Sequence, residues 1–214
     1  VFSWAARRRA EYRPTAWGLG AALRVFVIRG MSNSYLTEDG VLVDAGARPR
    51  DVLRVAEASG IRIRYLFITH YHVDHVRYAA DIVRAAGCRV AASAVEADYI
   101  EGLRRREYPG LLGRLADAVL RPRPVRVDVR LGDGDELEGY RVVMAPGHTP
   151  GSAALFKDGA LFSGDAVLGS GGRPSMPPRR FTLDWSEAER SFRRLLDLRP
   201  SVIYPGHGEP IRLP

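Results

Sequence analysis

Six consecutive residues, His70-Tyr71-His72-Val73-Asp74-His75, hold three of the chain's five histidines together with an aspartate. They follow Tyr65-Leu66-Phe67-Ile68-Thr69, an apolar run of aromatic and β-branched residues that reads as a buried strand. Behind them Val76, Ala79, Ala80, Ile82, Val83 and Ala86 recur at helical spacing and stop at Gly87. Any fold open to this chain must therefore place the cluster where a strand leaves a sheet and a helix begins. His70 and His72, two apart in extended chain, project to the same side, while the incoming helix turns Asp74 and His75 elsewhere. Taken singly, Asp74 also reads as the N-cap of that helix. Taken together, imidazoles this close repel one another when protonated and pack no better than aliphatic side chains. Neutral imidazole with carboxylate is a ligand set for zinc, iron or manganese, and one short loop can feed two neighbouring metal positions.

The remaining histidines follow the same rule. His148 stands in Ala145-Pro146-Gly147-His148-Thr149-Pro150-Gly151-Ser152, where strand residues stop and a turn presents the imidazole. Ser201-Val202-Ile203-Tyr204 delivers Pro205-Gly206-His207-Gly208, and the hairpin of residues 153–156 and 160–162 ends at Ser163-Gly164-Asp165. All five histidines lie in strand-end motifs, and none falls on a helix surface.

Around these points the chain reads as alternating strands and helices. A strand covers 23–28, and a hairpin joins 34–37 to 41–43 through Glu38-Asp39-Gly40. Asp44, next in sequence, is either a turn residue or a support behind the metal site. Helices are expected over 50–59, closed by Gly60, over 94–106, capped by Ser93, over 111–120, and over 186–198, begun by Asp184 and placed on the core by its apolar stripe. Strands are expected over 125–129 and 140–145. Segment 94–120 contains no histidine and reads as a helical insertion bordering a cleft. The loop 169–178 follows the Asp165 strand and either lines the site, with Arg173 or Arg179 meeting an anionic group, or is a plain surface connection. Residues 1–22 read as irregular with one short strand.

Composition sets bounds. The 214 residues fit one domain, residues 1–214, with ample core. No run approaches the roughly 18 apolar residues of a membrane helix, and no apolar signal core follows Arg7-Arg8-Arg9, so a cytoplasmic protein without membrane contact is expected. The single Cys88 excludes an internal disulfide, which agrees with that compartment, and reads as a small buried residue. The net charge of +7 is almost wholly arginine, Lys157 being the one lysine. The arginines are scattered, with only Arg104-Arg105-Arg106 as a block, which favours a solvated surface over a nucleic-acid partner. Glutamine is absent and Asn33 is the single asparagine, a scarcity of thermolabile amides that fits a thermophilic source.

The ordered set His-x-His-x-Asp-His, Gly-His-Thr-Pro-Gly, Ser-Gly-Asp and Pro-Gly-His-Gly resembles the metallo-β-lactamase superfamily, in its glyoxalase II-like hydrolase branch, with Asn33-Ser34-Tyr35-Leu36 and Val43-Asp44-Ala45-Gly46 resembling its N-terminal hairpin. The resemblance implies an α/β fold, a four-layer αβ/βα sandwich of two mixed sheets with outer helices. It implies one metal held by His70, His72 and His148, a second held by Asp74, His75 and His207, and Asp165 bridging both. It further implies two Zn2+ per chain, with Fe or Mn as alternatives, and a metal-bridging hydroxide that cleaves a small ester, thioester or lactone, with Asp74 orienting that nucleophile or relaying its proton. A small-molecule substrate, neutral or anionic, is the partner expected. Two other activities within the resemblance are a tRNA-processing type of phosphodiesterase or nuclease and a mononuclear iron persulfide dioxygenase. The former usually carries an RNA-binding arm or inserted nuclease domain that this chain does not show. Asp165 stands where some true β-lactamases have a ligand cysteine, which sets penicillin hydrolysis aside.

Overall fold

The structure, a computed structural model, describes residues 23–214. The short strand expected within 1–22 lies outside them. The first sheet contains β1 (Val25–Ile28), β2 (Ser34–Thr37), β3 (Val41–Val43), β4 (Tyr65–Ile68), β5 (Arg89–Ser93) and β6 (Val129–Leu131), in spatial order of sequence. The second contains β7 (Glu136–Leu137), β8 (Tyr140–Met144), β9 (Ala153–Lys157) and β10 (Ala160–Gly164). A two-stranded ribbon, β11 (Leu168–Ser170) with β12 (Arg173–Ser175), follows, and β13 (Val202–Pro205) and β14 (Ile211–Arg212) complete the second sheet in the order β14-β13-β10-β9-β8-β7.

Both sheets are mixed for a topological reason. β1, β2 and β3 are joined by short turns and pair antiparallel. From β3 to β6 the strands are parallel, which requires crossovers, and helices supply them. α1 (Pro49–Ser59) joins β3 to β4, α2 (Val73–Val76) and α3 (Ala79–Ala86) join β4 to β5, and α4 (Ala94–Ile100) and α5 (Leu111–Leu120) lie between β5 and β6. α6 (Trp185–Asp197) precedes β13, which runs parallel to β10. The parallel strands thus end on one edge, the place where open α/β sheets present their ligands.

Strand alternation sorts the side chains into layers. Val25, Val43, Phe67 and Ala91 of the first sheet meet Tyr140, Leu155, Phe162 and Tyr204 of the second in one buried cluster. Their neighbours Phe26, Leu66, Ile68 and Val90 face outward and pack under Val52, Ile82, Ala97 and Ile100 of the helices. Leu161 and Ile203 face outward from the second sheet onto Leu195 of α6, as the apolar stripe of that helix requires. The four-layer αβ/βα sandwich expected from the resemblance is therefore present. Phe67 and Phe162 have no solvent exposure at the centre of the sandwich, where truncation to alanine costs about 3–5 kcal/mol.

Several boundaries differ from the sequence reading. The helix after the histidine cluster begins inside it, as the single turn α2, and restarts at Ala79 after Tyr78 leaves helical geometry with φ −113° and ψ 12°. The helix expected over 94–106 ends at Ile100, because Gly102 takes φ 74° and the amides of Leu103 and Arg104 turn back to Asp98 O. α4 packs Ala97, Tyr99 and Ile100 into the outer layer of the first sheet, so within 94–120 it is the later part that reaches the cleft. The strand expected over 125–129 forms instead at Val129–Leu131. Pro122 and Pro124 hold the preceding chain out of the sheet, and Val125 N bonds Ile100 O. The loop 169–178 is partly the β11–β12 ribbon, which Gly171 and Gly172, both at positive φ, allow to turn. Among the described residues no helix is long and apolar enough to cross a membrane.

Candidate metal centre

Four strand ends converge on one cleft. β4 delivers His70 and His72, and α2 continues with Asp74 and His75. The turn after β8 carries His148, the residue after β10 is Asp165, and the turn after β13 carries His207. All seven candidate residues come together. One nitrogen each of His70, His72 and His148 lies within 4.8 Å of the others, as do ligand atoms of Asp74, His75 and His207 and of His70, His75 and Asp165. Asp165 stands between the groups: its carboxylate is 3.6 Å from His148 Nε2, 3.3 Å from His75 Nε2 and 3.7 Å from His207 Nε2. Asp74 is not the helix cap of the single-residue reading, since its Oδ2 lies 2.9 Å from His207 Nε2.

The donor atoms fit a metal. His70 Nε2, His75 Nε2 and Asp165 Oδ1 are buried without a well-formed hydrogen bond, the last two facing each other at 3.3 Å, although an unsatisfied buried polar atom costs about 1–3 kcal/mol. His148 Nε2 and His72 Nδ1 face each other at 2.9 Å, so only one of the two can carry a proton. Cations placed among these atoms would relieve every one of those conflicts.

Electrostatics divides the histidines. Burial first, then the charges of its histidine neighbours, holds His70 far below the usual imidazole range. Burial first and His148 next do the same for His72, and burial lowers His148 to about 4. Burial also opposes charge on His75, but Asp44, Asp165 and Asp74 outweigh it and raise that imidazole well above 6.5. His207 is likewise raised against burial, by its bond to Asp74 and by Asp165. Asp165 is buried too, yet His75, His207 and His148 hold its carboxyl far below the usual range. The first triad is thus neutral and ready to ligate, and the second is a coupled group of carboxylates and imidazoles.

Behind the ligand atoms lies a ring of supports. Asp44, given two readings by its sequence, is buried at the end of β3, and its Oδ2 accepts from His75 Nδ1 at 2.8 Å, fixing which ring nitrogen faces the cleft. Its carboxylate also accepts from Thr69 N at 2.9 Å and from the Thr69 hydroxyl. Asp44 holds φ 60°, a left-handed conformation that aspartate tolerates better than most residues and that these bonds secure. Gly206 is required by contact: a Cβ there would run into Asp165 Oδ1 and stand 2.6 Å from His75 Cε1. Asn33 donates to the carbonyls of Pro205 and Gly208, tying the β1–β2 turn to the His207 turn.

Glu96 is the residue that sequence reasoning missed. Ser93-Ala94-Val95-Glu96 has the spacing of a helix capping box, and Ser93 Oγ does accept from Glu96 N at 3.1 Å. The Glu96 side chain, however, does not turn back to the cap. It accepts from Tyr71 N at 2.7 Å, between two candidate ligands, and from Thr149 Oγ1 at 2.7 Å and Gly151 N at 2.9 Å, in the His148 turn. One buried carboxyl therefore clamps two ligand loops. Tyr71 itself is buried, stacks near Tyr99 with centroids 4.6 Å apart, and donates its hydroxyl to Glu107 O at 2.6 Å. Of the arginines proposed near the cleft, Arg173 is exposed on the ribbon and Arg179 lies over Trp185 at 4.6 Å; Arg180 lines the cleft instead.

Comparison with known proteins agrees with this geometry. The family model described as the metallo-beta-lactamase superfamily matches residues 27–207. The probable metallo-hydrolase YflN of Bacillus subtilis is 29% identical over 204 residues, covering 80% of this chain and 76% of that protein. The Beta-lactamase-like protein 2 homolog of Drosophila melanogaster is 30% identical, covering 92% of this chain and 64% of its own length. A hydroxyacylglutathione hydrolase of Anaeromyxobacter dehalogenans is 35% identical over 133 residues, which are 62% of this chain and 44% of the relative. Among solved structures, TTHA1623 in a di-iron-bound form superposes with TM-score 0.70 at 28% identity, covering 88% of this chain and 93% of the other. With the sandwich, the four converging strand ends and a family match across most of its length, the chain belongs to the metallo-beta-lactamase superfamily.

Proposed function

We propose that this protein is a metal-dependent hydrolase that cleaves a small ester, thioester or lactone. The observation that carries the reading is the convergence of five histidines and two aspartates on one cleft, with buried donor atoms left unpaired. His70, His72 and His148 would hold one ion, Asp74, His75 and His207 a second, and Asp165 would reach both. When bound, such ions supply a water of lowered pKa and polarise the scissile carbonyl. Zinc is the metal proposed; the di-iron-bound relative makes iron the next to test.

The chain's own residues do the rest. Asp44 holds the His75 ring through Nδ1, and Glu96 keeps the two ligand loops in register. Asp74, partly open to the cleft, is kept charged against burial by His75 and by its bond from His207, so its Oδ2 is placed to accept a proton and pass it on. Relatives named as hydrolases of hydroxyacylglutathione support an acyl compound as substrate, although the chain spans under half the length of those proteins.

The test is a substrate screen on protein reconstituted with zinc or with iron: acyl thioesters, aryl esters and lactones, beside a bis-aryl phosphodiester and a persulfide with oxygen uptake recorded. Hydrolysis of an acyl compound, abolished in His70→Ala, is expected. Phosphodiester cleavage alone, or oxygen uptake alone, would replace the reading with the corresponding alternative.

A further inference from the structure

A cavity of about 540 Å3 opens from the candidate metal centre, a size usual for small-molecule sites. At one end are His72, Asp74, His148, Asp165 and His207. Its walls are of the opposite character, formed chiefly by Met31, Tyr108, Leu112, Ala116, Leu120 and Phe181. Apart from the candidate ligands, the one charged side chain among the described lining residues is Arg180.

The wall is built rather than incidental. Leu112, Ala116 and Leu120 fall four apart on α5 and so form one stripe, about 12 Å long at the helical rise. Gly113 lets α5 settle on Tyr108, since a Cβ there would stand 2.5 Å from the ring. Tyr108 in turn lies parallel on His72, with centroids 5.0 Å apart and planes 16° apart. Its hydroxyl donates to Asp117 Oδ1 at 3.1 Å, and Arg106 reaches the same oxygen at 2.8 Å, pinning the segment before α5 to the helix. The apolar surface therefore begins one ring away from a candidate ligand and runs outward along α5, whose lining side chains carry no charge, while Arg180 comes from the segment before α6.

We infer that this cavity receives an uncharged aliphatic acyl chain, so that the preferred substrates are medium-chain acyl esters or thioesters, with the scissile carbonyl among the histidines and the chain laid along α5. This rests on the hydrolase reading above. Burial of a methylene is worth about 0.8 kcal/mol, which converts to about a fourfold gain in kcat/KM for each one carried into the cavity until it is filled.

The experiment measures kcat/KM of the zinc-loaded protein for N-acetylcysteamine thioesters from acetyl through butanoyl, hexanoyl and octanoyl to decanoyl. In parallel, binding of the non-hydrolysable S-decyl thioether of N-acetylcysteamine to the metal-free protein is measured by calorimetry. Both are repeated with Ala116→Trp, which fills the middle of the stripe on a helix with no fully buried side chain. The expected result is a steep rise with chain length, thioether binding, and in Ala116→Trp a decanoyl-to-acetyl ratio reduced at least tenfold with weakened binding. Because that ratio is taken within one preparation, it does not depend on how much of the variant is folded. Hydrolysis with a flat chain-length profile would overturn the acyl-chain inference and leave the hydrolase reading standing. Thioether binding that Ala116→Trp weakens, with no hydrolysis of any thioester in this series or of any ester or lactone in the screen above, would support the pocket and overturn the reading of the reaction. Absence of both would overturn the two together.

Discussion

Replacing Glu96 with glutamine keeps the shape of the side chain and removes its titration. In the folded protein burial lifts this carboxyl from its ordinary 4.5 to about 7, against the bonds from Thr149, Tyr71 and Gly151 that favour the charged form. In the unfolded chain it titrates near the ordinary value. Over the interval between the two, the folded state holds a proton that the unfolded state has released. Stability from this group is therefore fully present below about pH 4.5 and is lost as the pH rises through about 7. At about 1.4 kcal/mol per pH unit the loss is about 3 kcal/mol, and Glu96 has no solvent exposure to reduce it. Glutamine lacks this dependence. It pays a constant penalty instead: with its oxygen toward Thr149 and Gly151, its amide faces the Tyr71 N–H, at a cost of about 1–3 kcal/mol. The assay is urea unfolding of the metal-free wild type and Glu96→Gln at several values between about pH 4.5 and pH 8. The histidines titrate in both proteins, so the difference between them isolates residue 96. That difference should move by about 3 kcal/mol in favour of the variant as the pH rises. Two curves that stay parallel within about 0.5 kcal/mol would refute the claim that burial dominates this carboxyl.

Other expectations concern the metal positions. Asp44→Asn leaves one oxygen where Thr69 N and His75 Nδ1 each had one, and with that oxygen on Thr69 N its amide faces His75 Nδ1; it should weaken the second metal by about 10–100-fold in a chelator competition, leaving the first nearly unchanged. Gly206→Ala should displace Asp165 and His75 and lower metal content to about one ion per chain, measured on protein whose circular dichroism is unaltered. As pH falls from about 8 to about 5, the ion at Asp74, His75 and His207 should leave first, because His75 and His207 take up protons readily, whereas burial keeps His70, His72 and His148 neutral. Equilibrium dialysis at each pH reads this, and simultaneous loss of both ions would contradict it.

The seven candidate ligands were legible in the sequence because chemistry, not packing, chose them: no fold needs three imidazoles at a strand exit. The strands were legible as buried, since Leu66-Phe67-Ile68 is apolar on both faces, but that pattern fits any sheet covered on both sides, and the sandwich was legible only through the family resemblance. What was not legible depends on distance in sequence. Glu96 looks like half of a capping box, and nothing local says that its carboxyl reaches Tyr71 and Thr149, 25 and 53 residues away. Arg180 is of the same kind, given its place by an element that folds elsewhere, whereas Asp44 was half legible: one of its two readings was support for the metal site, and the bond to His75 decides for it. The misplaced strand at 125–129 shows the limit of propensity: Val125 and Val127 are strand formers, but the ladder with β5 begins only at Val129.

The central claim is that the cleft holds two ions through these seven side chains. The most direct measurement is elemental analysis of zinc, iron and manganese per chain, for the wild type and for Asp165→Asn, His207→Ala and His70→Ala. About two ions in the wild type, about one in His207→Ala and in Asp165→Asn, and loss of the first position in His70→Ala are predicted. A single ion that is indifferent to His207 and Asp165 would contradict the account and move the chemistry to a mononuclear site.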